Sequence, residues 1–544
     1  MKSFSILAVA MAAALTAAGA ETAVVRPFES PADLVPQGKI DELVFDRLQQ
    51  LGIEPAHLCS DGVFVRRAYL DVIGTLPTGL EAWQFIQDRD PQKRRALVDR
   101  LLARKEFADY WAMKWSDLLR VKAEFPINLW PKAVNAYHRW IRTSIRENMP
   151  YDRFVRELLT ASGSNFHVPQ VNFYRAVQSR EPKAIARAVA LTFMGARAER
   201  WPPERLAGMA AFFSQIGYKA TGEWKEEIVF NDLLKTAGAA NKGANKGDSP
   251  IFAGSAAKIG TVPAAVFPDG TPARLSPERD PREDFADWLV TAENPWFARH
   301  IVNRVWYWLL GRGIVHEPDD IRPDNPARNP ELLAYLGQEL IASHYDLKHV
   351  YRLILTSQTY QLSSIARGDP LQAEAEFACY PLRRLDAEVL VDALCQITGS
   401  TEDYYSRTPE PYTIIPAQQR TIALADGSIT SSFLEMFGRP PRDTGLESER
   451  SNGPTADQRL HLLNSSHIQS KIEKSVKLRS LAESGLDRRE TVSRLYLLVL
   501  SRLPTADELA AARAYGQSGK VNAADGVLDL AWALVNSPEF LYRH

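Results

Sequence analysis

The sequence predicts a mainly α-helical protein made of two related multi-helical halves, with a small β insertion where the halves join. Three observations lead there. Apolar residues recur at helical spacing over most of the chain, as at Ile40, Leu43, Val44, Leu48 and Leu51, or Leu97, Val98, Leu101 and Leu102. Stretches of the first half return in the second: RRAYLDVIGTLPTGLE (66–81) aligns with SRLYLLVLSRLPTADE (493–508), matching Arg67 with Arg494, Tyr69 with Tyr496, Pro77 with Pro504, Thr78 with Thr505 and Glu81 with Glu508. Strand-like patterns are short and confined to EEIVF (226–230) and AAVFPDGTPARL (264–275), where Pro268-Asp269-Gly270 signals a turn.

From the N-terminus, residues 1–20 read as an export signal: Lys2, an apolar run from Phe4 to Leu15, and Ala18-Gly19-Ala20 before Glu21, with cleavage expected near Ala20. The mature chain is then expected in the periplasm or outside the cell. It should carry no transmembrane segment, because no later run reaches the roughly 18 apolar residues of a span. Residues 40–230 form the first helical domain. Each copy of the long repeat is a helix, a proline stop and Thr-x-x-Glu, a capping box that opens the next helix. LLARKEF (101–107) returns as LVNSPEF (534–540). MPYDRFVRELLT (149–160) is similar to SHYDLKHVYRLILT (343–356), and in each the Asp after Tyr is suited to cap the following helix. A Trp-rich helical stretch precedes each, DRLLARKEFADYWAMKW and DWLVTAENPWFARHIVNRVWYW. Residues 231–280 read as a flexible connector with short strands, its AGAANKGANKGDSP portion burying little. Residues 281–544 form the second helical domain.

With 45% hydrophobic and 24% charged residues in 544, the chain can build a large core. Its formal charge of -1 excludes the basic footprint that nucleic acid requires. Cys59, Cys379 and Cys395 stand in no C-x-x-C arrangement and read as small buried side chains, one disulfide plus a free thiol being the alternative.

Candidate chemistry is sparse. Arg67 and Asp71 are four apart on one helix and are expected to pair along its face. Asn303, Arg304 and Trp306 lie in HIVNRVWYWLLG, where a charge needs a partner or a wet pocket; the two readings are a structural pair and a ligand-facing guanidinium. HEPDDIRPDN (316–325) gathers His316, Glu317, Asp319, Asp320 and Asp324 without the spacing of a calcium loop, and GLESERSNGPT (445–455) adds Glu447, Glu449 and Arg450. Asp319, Asp320 and Glu449 are the catalytic candidates for carboxylate chemistry on a glycan, and Asn303, Arg304, Trp306 and Arg450 the ligand-binding candidates. Twelve Trp and 18 Tyr offer stacking faces, although most are expected in the core.

RRAYLDVIGTLPT, YDRFVRELLT, NPWFARHIVNRVW, LLGRGIVHEPDD, LHLLNSS and NSPEFLYRH together resemble the paired unknown-function families 1549 and 1553, over roughly 40–230 for the first and 280–543 for the second. The resemblance implies proteins often fused to planctomycete-type cytochrome c domains, with Cys-x-x-Cys-His after a segment like LTFMGA. Here Arg197 to Trp201 fills that place with no Cys or His. Trp308 and Leu309 stand where relatives tend to show two His, and Leu446 and Ser448 where cysteines flank a glutamate. Without two thiols and an imidazole, covalent haem is not expected, nor is any metal or other cofactor. The 197–203 stretch reads as a connector in which Glu199 pairs with Arg197 or Arg200 and Pro202 opens a helix. The family's usual genomic company points to a non-haem envelope protein that binds, or helps to process, complex polysaccharides, its partner being a polysaccharide or an envelope protein. The alternatives are a carboxylate-dependent glycan hydrolase or lyase and a haem-less docking partner of a separate cytochrome c.

Overall fold

The computed structural model describes residues 27–235, 264–517 and 522–544. The expected export signal and the Gly/Ala/Asn/Lys-rich part of the connector lie outside the described residues. What is described is mainly α-helical, with two small sheets.

The helix Asp61–Ile73 is buried on nearly every side from Val63 onwards, which places it at the centre of the core. Ser60 caps its start by accepting the Val63 N–H, and Gly74 ends it in the left-handed region at φ 58°. Both predicted Thr-x-x-Glu capping boxes form. Thr78 and Glu81 bond reciprocally at the head of Gly79–Gln87, and the Thr505 N–H donates to Glu508 at 2.7 Å while Glu508 N–H returns to Thr505 Oγ1 at 3.2 Å.

Three of the four repeated stretches lie against their own copies. The Cβ that Gly79 lacks would stand 3.6 Å from Leu497 Cβ, so the two long repeats touch. The Tyr151 N–H donates to the Tyr345 carbonyl at 3.0 Å. Trp111 and Trp115, on the helix Lys105–Leu118, meet Trp308, on the helix Phe297–Leu310, with ring centroids 5.3 and 5.9 Å apart.

The capping roles of the Tyr-Asp pairs divide. Asp346 caps Leu347–Thr356 through His349 N–H, whereas Asp152 sits inside the first turn of Tyr151–Thr160, whose cap position is Pro150. The prolines of the second dipeptide shift likewise: Pro202 is the cap residue and Pro203 the first residue of Pro203–Ala211.

The β insertion is a three-stranded antiparallel sheet, Gly163–Ser164 beside Glu227–Asn231 beside Ile216–Ala220, with Tyr218 opposite Val229. EEIVF is thus a strand, but 264–275 holds only the bridge Val266–Pro272 around its turn. A second, two-stranded sheet pairs Arg383 with Arg543 and Arg384 with Tyr542, tying the end of the described chain to the helix Ala387–Thr398 that follows.

The three cysteines are free, Cys59 and Cys379 buried and Cys395 half-buried.

Candidate functional site

Several of the charged residues singled out in the sequence meet in the interior. Arg304 and Asp319 are each 1% exposed. Arg304 Nη2 donates to Asp319 Oδ1, and Nη1 reaches Glu447 Oε2 at 3.4 Å. The Glu447 N–H donates to the other oxygen of Asp319 at 2.7 Å. Next to this group, Arg450 forks onto Glu388 at 2.8 and 3.1 Å and donates to Asp117 at 2.6 Å. Arg442 Nε donates to the second Asp117 oxygen at 2.8 Å. Lys114 and Arg543 both stand 3.0 Å from Asp386. Arg543 extends the chain of charges to Asp71 at 3.3 Å, which also accepts the hydroxyls of Tyr360 and Tyr380 at 2.8 and 2.7 Å.

Asp71 therefore does not serve its helical neighbour. Arg67 donates to the backbone carbonyls of Tyr360, Leu362 and His544 and stacks 3.7 Å over the Tyr380 ring. The expected intrahelical pair is replaced by two long-range anchors. A charge in the core is tolerated only where such partners meet its desolvation cost, several kcal/mol per ion.

The electrostatics separate the carboxyls. Burial alone would raise Asp386, but Lys114, Arg450 and Arg543 outweigh it and hold the group well below the usual carboxylate range. Glu447 moves the other way: burial raises it, with Asp319 adding to the rise, against Lys114 and Arg304. A raised and a lowered carboxyl in one cluster is the pattern of acid and base partners, yet neither cleft described below is lined by these residues.

The remaining candidates hold structural partners. Asn303 donates to the Val315 carbonyl at 3.0 Å and accepts its N–H at 2.9 Å, stapling the loop after its helix. Trp306 is fully buried, edge-on to Phe377 at 5.1 Å. Asp320 pairs with Arg200 and Arg322, each at 3.1 Å. Glu449 accepts from the N–H and hydroxyl of Thr444, both at 2.8 Å; burial raises its pKa against these bonds. Asp319 thus meets Glu447; carboxylates hold Arg304 and Arg450, the Val315 backbone holds Asn303, apolar packing holds Trp306, and none of the four lines either cleft described below. Among the described residues no group of three or more His, Cys, Asp and Glu is placed to hold a metal ion.

The stretch 197–203 docks onto the acidic loop. Arg197 pairs with Glu317 at 2.7 Å, so the arginines take Glu317 and Asp320 in place of the expected Glu199. The Ile321 N–H donates to the Gly195 carbonyl at 2.8 Å. Gly195 is required there: at φ 61° its Cβ would fall 2.3 Å from His300 Nδ1. His300 Nε2 in turn faces the Thr192 carbonyl at 3.1 Å. Arg304 lies 6.0 Å from the Trp308 ring and bonds Glu447. Gly195 and Glu447 therefore both meet the helix Phe297–Leu310, on which Trp308 and Leu309 lie.

A narrow apolar cleft between Trp111, Trp115, Tyr151, Phe154 and Tyr351 has a volume of about 30 Å³, room for a water molecule and too little for a sugar ring. A wider hollow of about 510 Å³ is lined by Asp61, Asp88, Asp90, Lys93 and Arg94. Two of its three cations are committed, Lys93 and Arg94 standing 2.7 and 2.9 Å from Asp61, and Arg89 completes its basic lining.

An exposed aromatic ledge lies elsewhere, centred on a turn of the β insertion. Trp224 occupies the turn between Ile216–Ala220 and Glu227–Asn231 and is 54% exposed. Trp130, held in the left-handed region at φ 69°, meets it at 4.7 Å and an interplanar angle of 63°. Tyr412, 52% exposed, meets its other side at 5.1 Å and 45°. Lys225 lies 4.5 Å over Trp130, and Lys132 pairs with Glu223 at 3.6 Å. Sequence reasoning missed this ledge because its rings come from three distant segments, with no shared period to connect them.

Residues 39–200 match the family model PSCyt2, a protein of unknown function (DUF1549), and residues 281–516 match PSD1, a protein of unknown function (DUF1553). No curated protein and no solved structure matches the chain. With both models matched in order along one polypeptide, the chain belongs to the proteins that pair a DUF1549 domain with a DUF1553 domain.

Proposed function

We propose that the protein is an exported binding protein that holds complex polysaccharide on the Trp130–Trp224–Tyr412 ledge and so assists its processing. The ledge is the observation that carries this reading. Sugar rings stack on aromatic faces, and a platform for them needs rings that are exposed yet held in place; Trp224 and Tyr412 are more than half exposed while each ring braces the next. Contiguous exposed apolar area of this kind marks interaction surfaces. The tilt between the rings suits a flexible polymer better than a flat crystalline face. Binding is favoured over hydrolysis because Asp319, Asp320 and Glu449 already hold protein partners. Export rests on the N-terminal segment, and among the described residues no helix is long and apolar enough to cross a membrane.

The test is a screen of the mature chain against neutral and sulfated polysaccharides by affinity electrophoresis and calorimetry. Trp224→Ala should weaken binding on the order of tenfold, about 1.4 kcal/mol, with an unchanged melting temperature because the ring is exposed. Retention of full affinity in Trp224→Ala, or no binding by the parent chain, overturns the proposal.

A further inference from the structure

We infer that His461 and His467 form a two-imidazole site for a divalent transition metal ion, with Zn²⁺ as its simplest occupant. His461 lies in the last turn of Ala456–Asn464 and His467 in the first turn of Ser466–Glu473. Ser465 both ends the first helix and caps the second, and this abrupt join brings the two rings together. His461 Nε2 stands 3.3 Å from His467 Nδ1. Two nitrogens bound to one tetrahedral zinc at about 2.05 Å are themselves roughly 3.3 Å apart. The spacing that serves a hydrogen bond between the two rings is therefore also the bite of a metal.

The surroundings favour the metal. Glu402 Oε2 lies 2.9 Å from the far nitrogen of His467, and Lys471 Nζ lies 3.1 Å from the same oxygen. In the tautomer that donates from Nε2 to this carboxylate, Nδ1 presents its lone pair toward His461. A carboxylate behind a ligating imidazole, fixing its tautomer and raising its basicity, is the usual outer shell of a histidine metal ligand. Phe433 packs edge-on against both imidazoles at 5.8 and 5.7 Å, which limits their rotation. Cys395 is not counted as a ligand: burial raises its thiol, and Lys471 Nζ already lies 3.6 Å from its sulfur. Both histidines are half-buried, so an ion held by two imidazoles keeps its remaining positions for water or an exchangeable ligand. The site is separate from the aromatic ledge and does not depend on its function.

Full-length mature protein, stripped with chelator, is titrated with Zn²⁺ alone by calorimetry, and with Co²⁺ while its visible absorption is recorded. One ion per chain is expected. His461→Ala and His467→Ala should each weaken binding at least about tenfold, and Glu402→Gln about 10–100-fold although both imidazoles remain. Glu402 also holds Lys471, so if Glu402→Gln loses its melting transition, His461→Gln, which leaves that carboxylate in place, decides by loss of the Co²⁺ spectrum. Equal affinity in the parent chain and His461→Ala would place the ion on another of the ten histidines and overturn the inference, as would no binding by the parent.

Discussion

Removing the carboxylate of Asp319 would leave the Arg304 guanidinium charged, buried and short of its nearest acceptor. Breaking a buried pair from one side costs about 3–5 kcal/mol, so Asp319→Ala should lower the urea midpoint by that equivalent. Asp320→Ala, whose partner Arg200 is 49% exposed, should cost about 0–1 kcal/mol; equal losses in the two would show that the Arg304 pair is not desolvated. Histidine supplies the pH dependence. Burial, with Arg442 and Arg142 adding to it, lowers His138 to about 3, and burial lowers His300 well below its usual value. Both are neutral in the folded chain and bind protons more readily when unfolded, so their contribution is complete above pH 6.5 and is lost as pH falls toward the folded values. At pH 4.5 the loss should be about 3 kcal/mol for His138. Glu447 acts in the opposite sense, since a raised carboxyl costs stability at neutral pH that returns on acidification. Unfolding free energy measured between pH 7 and 4.5 should fall for the parent chain and fall less for His138→Phe. An unchanged slope in that variant would mean that His138 titrates normally.

At the scale of elements, local signals were legible and distant pairings were not. Thr-x-x-Glu located two helix starts because a capping box is complete within four residues. The aligned tyrosines and glutamates also proved structural, though not by the route the alignment suggests. Arg104 bridges Glu81 and Glu106 at 3.1 and 2.9 Å and lies 5.7 Å over Tyr69. In the other copy Arg502 bridges Glu508 and Glu539 at 2.8 and 2.6 Å and lies 5.4 Å over Tyr496. The bridge is the same, but its cation comes from a different point in the repeat, so alignment finds the carboxylates and misses the arginine. Strands of two residues, such as Gly163–Ser164, have no period to detect. That Arg304 needed a partner was readable from its apolar neighbours; that the partners are Asp319 and Glu447 was not, since Glu447 lies 143 residues away.

Across the whole molecule, the halves complete each other. Arg66 donates to the carbonyls of Val499 and Phe540, each at 2.8 Å, and Arg67 and Asp71 take their partners from residues 360–544. A fragment of residues 27–235 would strand these three charged side chains in an exposed core. Expressed alone it should show no cooperative melting transition, and co-expression with 236–544 should restore one. Independent cooperative melting of the shorter piece would mean that the first domain folds by itself. The sequence revealed the repeats but not their mutual contact, because similarity between two segments says nothing about the distance between them.

That contact between like elements is the kind a symmetric homodimer makes across its axis. Written into one polypeptide, the association becomes unimolecular, its strength set by the tether and not by the abundance of subunits. Dilution, which would dissociate a modest dimer, leaves such a pairing intact, and the two faces are free to diverge, as Arg104 and Arg502 have done in reaching the same pair of acids.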